Sequence, residues 1–396
     1  MNLAVIGFGN AGGKVVDKLL AFESDTGRSL CRFALAVNSA EIDLAKLDYV
    51  PRDNRILIGQ TDQRVKGRGA GADPEVGATI ARQDHHEIER AMDGVPIHDI
   101  DGFLVVAGLG GGTGSGGAPV LAETLQDRYA EPVYGLGVLP SADEGGRPAF
   151  NAARSLTSFT EATENLVLFD NDTWRQHGDS VETGYDRTND EIARRVVTLL
   201  AAGELDGSRI SEAAMDSSDV KRTLATGGVS TIAYASTELE GATQHGGGLL
   251  KRFTDGDGTN GTEPDDGDLT MKVHGLVRKA VKSRLTIPAE IDSAERSLIV
   301  VSGPPSEFSQ KGLRRAREWL ERQTDSVEVL AGDDPRENAD RLSVAVLLSN
   351  VTRVDRIDAL QDQAVDAKSN IQRQADTRED EINDLITDDH GELDPI

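Results

Sequence analysis

GLGGGTGSGG, residues 108–117, is the stretch that decides the fold of this chain. An apolar stretch, GFLVVA (102–107), precedes it, and APVLAETLQDRYA (118–130) follows with the composition of a helix. A glycine-dense turn at that junction lets backbone N–H groups approach an anion, because no Cβ intervenes and the helix dipole favours negative charge there. The stretch therefore predicts a phosphate-binding loop, in which Gly112 is expected to leave the space that a phosphate needs.

This loop differs from the P-loop of Walker-type ATPases. The Lys-Ser or Lys-Thr pair that should follow the second glycine is absent, and Thr113 and Ser115 are the hydroxyl residues in the loop. A solvated glycine linker is the alternative interpretation. Because linkers are not framed by a buried strand and a helix, the phosphate loop is favoured.

The composition indicates a cytoplasmic α/β protein with two domains. The chain has 396 residues, of which 38% are hydrophobic and only 4% aromatic. No apolar run reaches membrane-spanning length, and the N-terminus is typical of a strand rather than of a signal peptide, so we expect no insertion into a membrane. The single cysteine, Cys31, excludes an internal disulfide and offers no metal-ligand spacing.

The charge balance is strongly acidic. Lys and Arg total 42 against 68 Asp and Glu, a formal net charge of −26 at pH 7. Nucleic acid and anionic membrane surfaces are therefore poor candidates for direct partners. Because salt screens self-repulsion, this composition indicates a high-salt cytoplasm, with an ordinary acidic protein as the alternative. The pair His85–His86 lies in a polar helical stretch, and we expect it at the surface.

Apolar strand signals alternate with helical patterns through the first half of the chain. This alternation predicts a mostly parallel sheet covered on both faces, with one helix over residues 74–92. A long helix over 185–205 is expected to separate this part from a smaller α+β domain, and a charged helix closes the chain. The predicted units are a nucleotide-binding domain (1–182), a central helix (183–206), a second domain (207–350) and a C-terminal helix with its tail (351–396).

GGGTGSG (110–116) resembles the loop that marks the tubulin/FtsZ family of GTPases. Three further loops occur in family order, GFGNAGG (7–13), VNSAEIDL (37–44) and GAGADPEVG (69–77), and the resemblance covers roughly residues 1–350. It implies that GTP or GDP binds these loops with Mg²⁺ near Asn38, Ser39 and Glu41. The residues that the resemblance assigns to the phosphate side are Gly7, Gly9, Asn10, Gly12, Asn38, Ser39, Gly69, Ala70, Gly71, Ala72, Gly110, Gly111, Gly112, Thr113, Gly114, Ser115 and Gly116.

The same resemblance assigns residues to the ribose and the base of the nucleotide. Pro140, Glu144 and Arg147 fall where the family contacts ribose and phosphate, although this loop is one residue shorter than in FtsZ. Asn171, Tyr185 and Asn189 fall where the family contacts guanine. An Asn side chain offers a donor and an acceptor to the guanine edge, and Tyr offers a flat face.

AAMDSSDVKRTL (213–224) carries the predicted chemistry. The resemblance implies that Asp216 and Asp219 act on the nucleotide of the next subunit in a polymer, where two carboxylates can polarise a water for attack on the γ-phosphate. Helix capping by Asp216 is the alternative. Ala214 departs from the family, since FtsZ usually has asparagine there, and this departure puts FtsZ-like turnover in doubt.

Within the family, the chain is most similar to CetZ, the archaeal tubulin-like proteins associated with cell shape. Its end, LITDDHGELDPI (385–396), matches the partner-recruiting peptide of FtsZ poorly. The resemblance implies head-to-tail filaments of the chain itself, lateral contacts through residues 241–268, and adaptors at the membrane or cell envelope. The acidic insert FTDGDGTNGTEPDDGD (253–268) is expected to be a solvated loop rather than a calcium site, because it lacks the closing Glu of an EF-hand.

Three alternatives to that function remain at this point. The first is an FtsZ-like division GTPase, and the second is a structural protein that binds nucleotide without hydrolysing it. The third is an NAD-dependent oxidoreductase, because Gly7, Gly9 and Gly12 form a GxGxxG motif after a strand. Against the oxidoreductase, the second strand ends in Asn38-Ser39, where an NAD site needs an acidic residue for the ribose hydroxyls.

Overall fold

The computed structural model describes residues 1–174, 181–202, 215–239 and 266–386. In these residues ten strands form one sheet, in the order β3-β2-β1-β4-β5-β6-β7-β10-β8-β9. The strands are β1 (Leu3–Phe8), β2 (Cys31–Asn38), β3 (Arg55–Leu57), β4 (Gly102–Gly108), β5 (Val133–Leu139), β6 (Asn165–Asp170), β7 (Val229–Glu238), β8 (Ala294–Gly303), β9 (Glu328–Pro335) and β10 (Arg341–Val351).

Twelve α-helices lie in the described residues. They are α1 (Gly9–Thr26), α2 (Glu41–Ala45), α3 (Pro74–Gln83), α4 (His85–Met92), α5 (Thr113–Arg128), α6 (Gly146–Glu161), α7 (Asn171–Trp174), α8 (Val181–Leu200), α9 (Ser217–Leu224), α10 (Asp266–Lys282), α11 (Gln310–Glu321) and α12 (Asp355–Ile386). None of these described helices combines the length and the apolarity needed to cross a bilayer.

The first six strands are parallel and form a doubly wound sheet. Their order is 3-2-1-4-5-6, so the strand sequence reverses direction at β1 and β4. These two strands are parallel neighbours. Every residue of β1, β5 and β6 is buried, because helices cover both faces of the sheet. The predicted mostly parallel sheet is confirmed. In such sheets ligands bind beyond the carboxyl ends of the strands at the point of reversal.

The second half of the sheet continues from the first through a short ladder. β7 pairs with β6 in parallel over only Leu166↔Val229 and Val167↔Ser230. β10 then lies antiparallel between β7 and β8, and β9 lies parallel to β8. The mixed strand directions and the packed helices α10 and α11 are those of the smaller α+β part that the sequence predicts.

Two layers of helices cover the first six strands. On one face α1 and α8 pack through apolar side chains such as Val15, Leu19 and Ile192. The N-terminal ammonium of Met1 donates to the carbonyl of Leu200 at 2.6 Å and ties the start of β1 to the end of α8. On the other face α3, α5 and α6 bury side chains such as Leu121. α8 therefore lies against the sheet as the expected long central helix.

Several helix boundaries differ from the prediction, and α8 itself spans Val181–Leu200 rather than 185–205. The single helix expected over 74–92 is wrong, because the chain breaks between α3 and α4 at Asp84, whose φ is −99° and ψ is 19°. The Asp84 carboxylate accepts a bond from the Gly59 N–H at 2.6 Å, and this tertiary contact fixes the break. α5 begins at Thr113, inside the glycine stretch and five residues before the expected start.

Candidate functional site

A cleft of about 420 Å³ lies beyond the carboxyl ends of the parallel strands. Its size is that of a small-molecule site. It brings together most of the residues predicted from the six loops and the central helix. The predicted residues that line it are Gly9, Asn10, Asn38, Gly69, Ala70, Gly71, Ala72, Gly110, Gly111, Gly112, Thr113, Gly114, Pro140, Glu144, Asn171, Tyr185 and Asn189.

Two helix N-termini open into this cleft. α1 starts at Gly9 and α5 at Thr113, with 18 and 16 residues respectively. The first turns of the two helices pack closely, since a Cβ on Gly9 would lie 2.8 Å from the backbone N of Gly114. Gly9 also has a φ of +75°, which favours glycine. Unpaired N–H groups and the positive ends of two dipoles therefore face the same space, which suits a polyphosphate.

Gly112 serves a different purpose from the expected one. A Cβ there would not enter the cleft but would meet the backbone N of Asp73 at 2.6 Å and the Cβ of Ala70 at 3.1 Å. Its missing side chain therefore lets the loop of residues 69–73 close over the loop of 110–116. Within the loop of 110–116, Gly111 has open space around it, because a Cβ at that position would meet no protein atom within 4 Å.

Some predicted residues support the loops without lining the cleft. The hydroxyls of Ser39 and Thr113 share a buried bond of 2.6 Å, and that of Ser115 donates to the carbonyl of Gly111. Gly12 lets α1 approach the sheet, since a Cβ there would lie 2.2 Å from the carbonyl O of Val106. Gly7, Gly12, Ser39, Ser115, Gly116 and Arg147 are the predicted residues outside the lining.

The loop after β5 holds its shape through Glu144. This carboxylate accepts a bond from the Ser141 N–H at 2.7 Å and forms a capping box. Arg147 faces a neighbouring groove, which it lines together with Phe150, Arg154 and Ala367. The ribose and phosphate role of Arg147 therefore stays a prediction.

The far end of the cleft is lined by amides and an aromatic ring. Asn171 is 8% exposed, and its Oδ1 has no hydrogen-bond partner among the described residues. Asn189 is equally buried, and Tyr185 lies beside it on α8. Because an unsatisfied buried acceptor costs free energy, the Oδ1 of Asn171 is suited to receive a donor from a bound base.

Three charged residues of the cleft were not predicted. Lys14 lies on α1 and Arg68 precedes the loop of 69–73, and Asp43 lies on α2. In the described part of the chain no side chain pairs with any of the three. Lys14 could have been predicted, because helical side chains tilt toward the N-terminus of the helix, so a long side chain on the second turn of α1 extends toward the helix start. Glu41 is exposed and lies outside the lining of the cleft, whereas Asp43 is part of that lining.

Asn151 on α6 is a second residue that the sequence did not reveal. It is 2% exposed, and its Nδ2 donates to the carbonyls of Ala72, Gly110 and Gly111 at 3.0, 3.1 and 3.2 Å. One amide therefore holds the loops of 69–73 and 110–116 together. It is a positioning residue for the cleft.

We expect Asn151→Ala to lower the free energy of unfolding by about 1–3 kcal/mol, because buried carbonyls lose their donor. Denaturant unfolding measures this change. Thr157→Ala is the matched control, since Thr157 is exposed on the same helix and bonds only to the carbonyl of Ala153. Equal stability of the two variants would show that the amide does not hold the loops.

Asp216 and Asp219 have separate environments. Asp216 caps α9 and accepts bonds from the N–H groups of Ser218 and Asp219 at 2.8 and 3.0 Å. The hydrogen bond from the Ser218 hydroxyl lowers the pKa of Asp216. Burial, followed by the charge of Asp216, raises the pKa of Asp219, whose carboxylate accepts no hydrogen bond in the described residues. Capping therefore describes Asp216, whereas Asp219 is the chemically available carboxylate.

α9 lies at the opposite end of the sheet from the cleft. Lys221 Nζ pairs with Asp101 Oδ1 at 2.7 Å, and Asp101 also accepts from the Asn2 N–H at 2.9 Å. Both partners precede the amino ends of β4 and β1. β4 has seven residues, so its two ends are separated by about 20 Å. Asp219 therefore cannot reach a ligand in the cleft of its own subunit.

His85, His86 and Glu89 form a surface group whose ligand atoms lie within 4.8 Å of one another. His86 is exposed, and Arg128 pairs with Glu89 at 2.7 Å. The group lies outside the cleft. Three predicted features lie outside the described residues. They are Ala214, residues 241–265 of the proposed lateral surface, which include most of the acidic insert, and residues 387–396 at the C-terminal end.

Comparison with known proteins agrees with this geometry. Residues 2–179 match the family described as Tubulin/FtsZ family, GTPase domain, and residues 178–366 match Tubulin-like CetZ, C-terminal domain. The chain is 52% identical to tubulin-like protein CetZ1 of Haloferax volcanii over 377 residues, 94% of each chain.

Two solved structures from the same organism have this fold. The GDP-bound monomer of CetZ1 superimposes with a TM-score of 0.80 at 47% identity, covering 93% of this chain and 100% of that one. The GTPγS-bound protofilament of CetZ2 superimposes with a TM-score of 0.80 at 39% identity, covering 94% and 100%.

Proposed function

The chain belongs to the CetZ family of tubulin-like proteins, and we propose that it is a cytoskeletal GTPase that polymerises head to tail. GTP binds in the cleft, and the next subunit supplies the carboxylate that completes the hydrolytic site. The observation that carries this proposal is the separation of the cleft from Asp219 at opposite ends of one sheet. The relatives solved with GDP and as a GTPγS-bound protofilament support the nucleotide and the assembly.

The phosphate side of the cleft suits a triphosphate. The N–H groups at the starts of α1 and α5 donate to phosphate oxygens, and the cationic side chains of Lys14 and Arg68 balance their charge. This arrangement does not resemble an NAD site. β2 ends in Asn38, whose Oδ1 accepts from the Ser39 N–H at 2.7 Å, and no carboxylate stands there for the ribose hydroxyls.

Mg²⁺ fits the same region, because the carboxylate of Asp43, which has no partner among the described residues, lines the cleft and offers oxygen ligands. Asn38 lines the cleft as well, but its Oδ1 already accepts bonds from the N–H groups of Ser39 and Ala40. When bound with GTP, the ion would neutralise charge on the phosphate oxygens. Thr113 contributes little to such a site, since its hydroxyl is already bonded to Ser39.

Hydrolysis would depend on Asp219 of the adjoining subunit. An ionised carboxylate can accept a hydrogen bond from a water and orient it for in-line attack on the γ-phosphate, while the backbone N–H groups of the cleft stabilise the developing charge. Asp216 shapes α9 by capping it and contributes through the position of Asp219.

Guanine would be read by Asn171 and Asn189, with Tyr185 beside the ring. We expect Asn189→Ala to weaken GTP binding by about 1–3 kcal/mol, because buried polar edges of the base lose their partner. Isothermal titration calorimetry with GTP and ATP measures the change. Equal affinity of the unmodified protein for ATP and GTP would contradict this assignment of the base site.

Light scattering with GTP, GDP, ATP and NAD at molar KCl tests the proposal as a whole. Scattering that depends on GTP alone, with phosphate release that begins above the same protein concentration, is the expected result. Scattering without phosphate release would indicate a structural protein that does not hydrolyse GTP. A response to NAD would indicate the oxidoreductase.

The cellular setting is part of the same proposal. The family and the acidic composition support a filament in a high-salt archaeal cytoplasm that controls cell shape through envelope adaptors. An FtsZ-like division role is less well supported, because the second half of the chain matches the CetZ C-terminal domain. Morphology of cells that lack the protein distinguishes the two roles.

A further inference from the structure

The C-terminal helix reaches the base end of the cleft through one side chain, Arg356. This residue is the second of α12, and its guanidinium spans three partners from two different loops. Its Nε donates to Asp170 Oδ1 at 3.0 Å, and its Nη2 donates to the carbonyl of Pro140 at 2.8 Å. The same Nη2 lies 3.5 Å from Asp172 Oδ2. Arg356 thus joins the loop after β5 to the junction of β6 and α7.

The contact is held away from water. The side chain of Arg356 is 11% exposed and that of Asp170 is 2% exposed. Asp172 extends the network, because it also accepts a bond from the Ala142 N–H at 3.0 Å. Buried charge-assisted bonds of this kind are short, directional and costly to break. Arg356 therefore holds the two carboxylates together with their other donors, the Thr173 hydroxyl at Asp170 and the Ser141 hydroxyl at Asp172.

Asn171 lies between these two carboxylates in the chain. Of its two neighbours, Asp170 is hydrogen-bonded to Arg356 and Asp172 forms an ion pair with it at 3.5 Å, whereas the Oδ1 of Asn171 has no partner in the described structure. Asn171 lines the cleft. A guanidinium that holds the side chains on both sides of Asn171 constrains the backbone from which its amide projects. Guanine offers an N–H at the edge where adenine offers a lone pair, so the placement of an acceptor decides between them.

We propose that Arg356 is a positioning residue for base selectivity, which makes the C-terminal helix part of the nucleotide site. This inference rests on the proposed function, since it concerns the same cleft. Two more contacts of α12 support it. Gln363 Nε2 donates to the carbonyl of Ala142 at 3.1 Å. Ala367 packs against Gly146, where an added Cβ would lie 2.8 Å from the Cβ of Ala367. α12 therefore braces the loop after β5 along two further turns.

Arg356→Lys tests the proposal while it conserves the charge. A lysine ammonium cannot span three acceptors as the planar guanidinium does. We expect the ratio of ATP to GTP dissociation constants, measured by calorimetry on the full chain, to fall at least tenfold. Arg373→Lys is the matched control, since Arg373 is exposed on the same helix and bonds only to Ser369 and Asn370. The control should keep the unmodified ratio.

The ratio separates positioning from general support of the fold. A merely structural role would weaken ATP and GTP binding together and leave the ratio unchanged, which would overturn the proposal. Asn171→Ala should lower the ratio as well, and adding Arg356→Lys to it should lower the ratio no further. If Arg356→Lys does not fold, Asp172→Asn removes one of the partners and should lower the ratio by a smaller factor.

The two proposals fail in different ways. If the unmodified protein shows no preference for GTP, the assignment of the base site fails and this inference fails with it. If the unmodified protein prefers GTP and Arg356→Lys keeps the full preference, only the positioning role of Arg356 is wrong.

Discussion

Asp219→Asn is expected to abolish GTP turnover while GTP binding and assembly persist. The carboxylate of Asp219 accepts no hydrogen bond in the described residues, so the substitution removes the negative charge and the basicity of the side chain without breaking a fold contact. Loss of a general base typically lowers the rate by about 10²–10⁴-fold. Phosphate release, sedimentation and nucleotide binding measured on the same preparation distinguish the three properties, and the filaments of this variant should be longer-lived.

Asp216→Ala provides the contrasting case. Because Asp216 caps α9, its loss should cost about 0.5–2 kcal/mol of stability. A denaturation curve should therefore shift for Asp216→Ala and stay in place for Asp219→Asn. Full turnover in the Asp219→Asn variant would leave both carboxylates without a catalytic role.

The acidic limb of the pH profile follows from the same side chain. Burial and the charge of Asp216 raise the pKa of Asp219, and the ionised form is the one that accepts a bond from water. Turnover at saturating GTP should therefore fall, as pH decreases, at a higher pH than an exposed Asp would give. The Asp219→Asn variant should lose that limb from its residual rate.

Gly111→Val is expected to lower the affinity for GTP by at least a hundredfold without unfolding the protein. Gly111 lines the cleft, and a Cβ there meets no protein atom within 4 Å, so the new side chain occupies space that the phosphates need. Gly275→Val is the matched control, because Gly275 is exposed on α10 and has equally open surroundings. Calorimetry reports the affinity, and thermal unfolding shows that both variants fold.

The two site variants also test catalysis between subunits. Asp219→Asn keeps an intact cleft, and Gly111→Val keeps an intact α9. Mixed in equal amounts, they should recover part of the turnover that each lacks alone, provided that sedimentation shows both in one polymer. Co-assembly without recovered turnover would contradict a site shared between subunits.

The sequence predicted the sheet and the lining of the cleft because both depend on local patterns. Buried parallel strands have continuous apolar runs, and glycines between a strand and a helix indicate close approach of the backbone. The purpose of Gly112 could not be read in this way. Its missing Cβ makes room for Asp73, a residue 39 positions earlier in the chain.

The residues that the sequence did not reveal owe their roles to distant partners. In the sequence Asn151 is an ordinary polar residue of a predicted helix. Its role depends on the carbonyls of two loops, which surround it only in the folded chain. Arg356 reaches Pro140 across 216 positions, and the hydroxyl of Ser39 is bonded to Thr113 across 74. The helix break at Asp84 depends on Gly59 in the same manner. Such contacts exist only after the sheet has brought the segments together.

The placement of the cleft and α9 on opposite ends of one sheet makes any filament of this chain directional. If Asp219 completes the site of the next subunit as proposed, one terminal subunit would hold GTP that no neighbour's Asp219 can reach, whereas the other would present an Asp219 with no nucleotide beside it. The first terminus would then stay in the triphosphate state while the interior subunits convert their GTP to GDP. Growth and shrinkage at the two termini would therefore differ in rate.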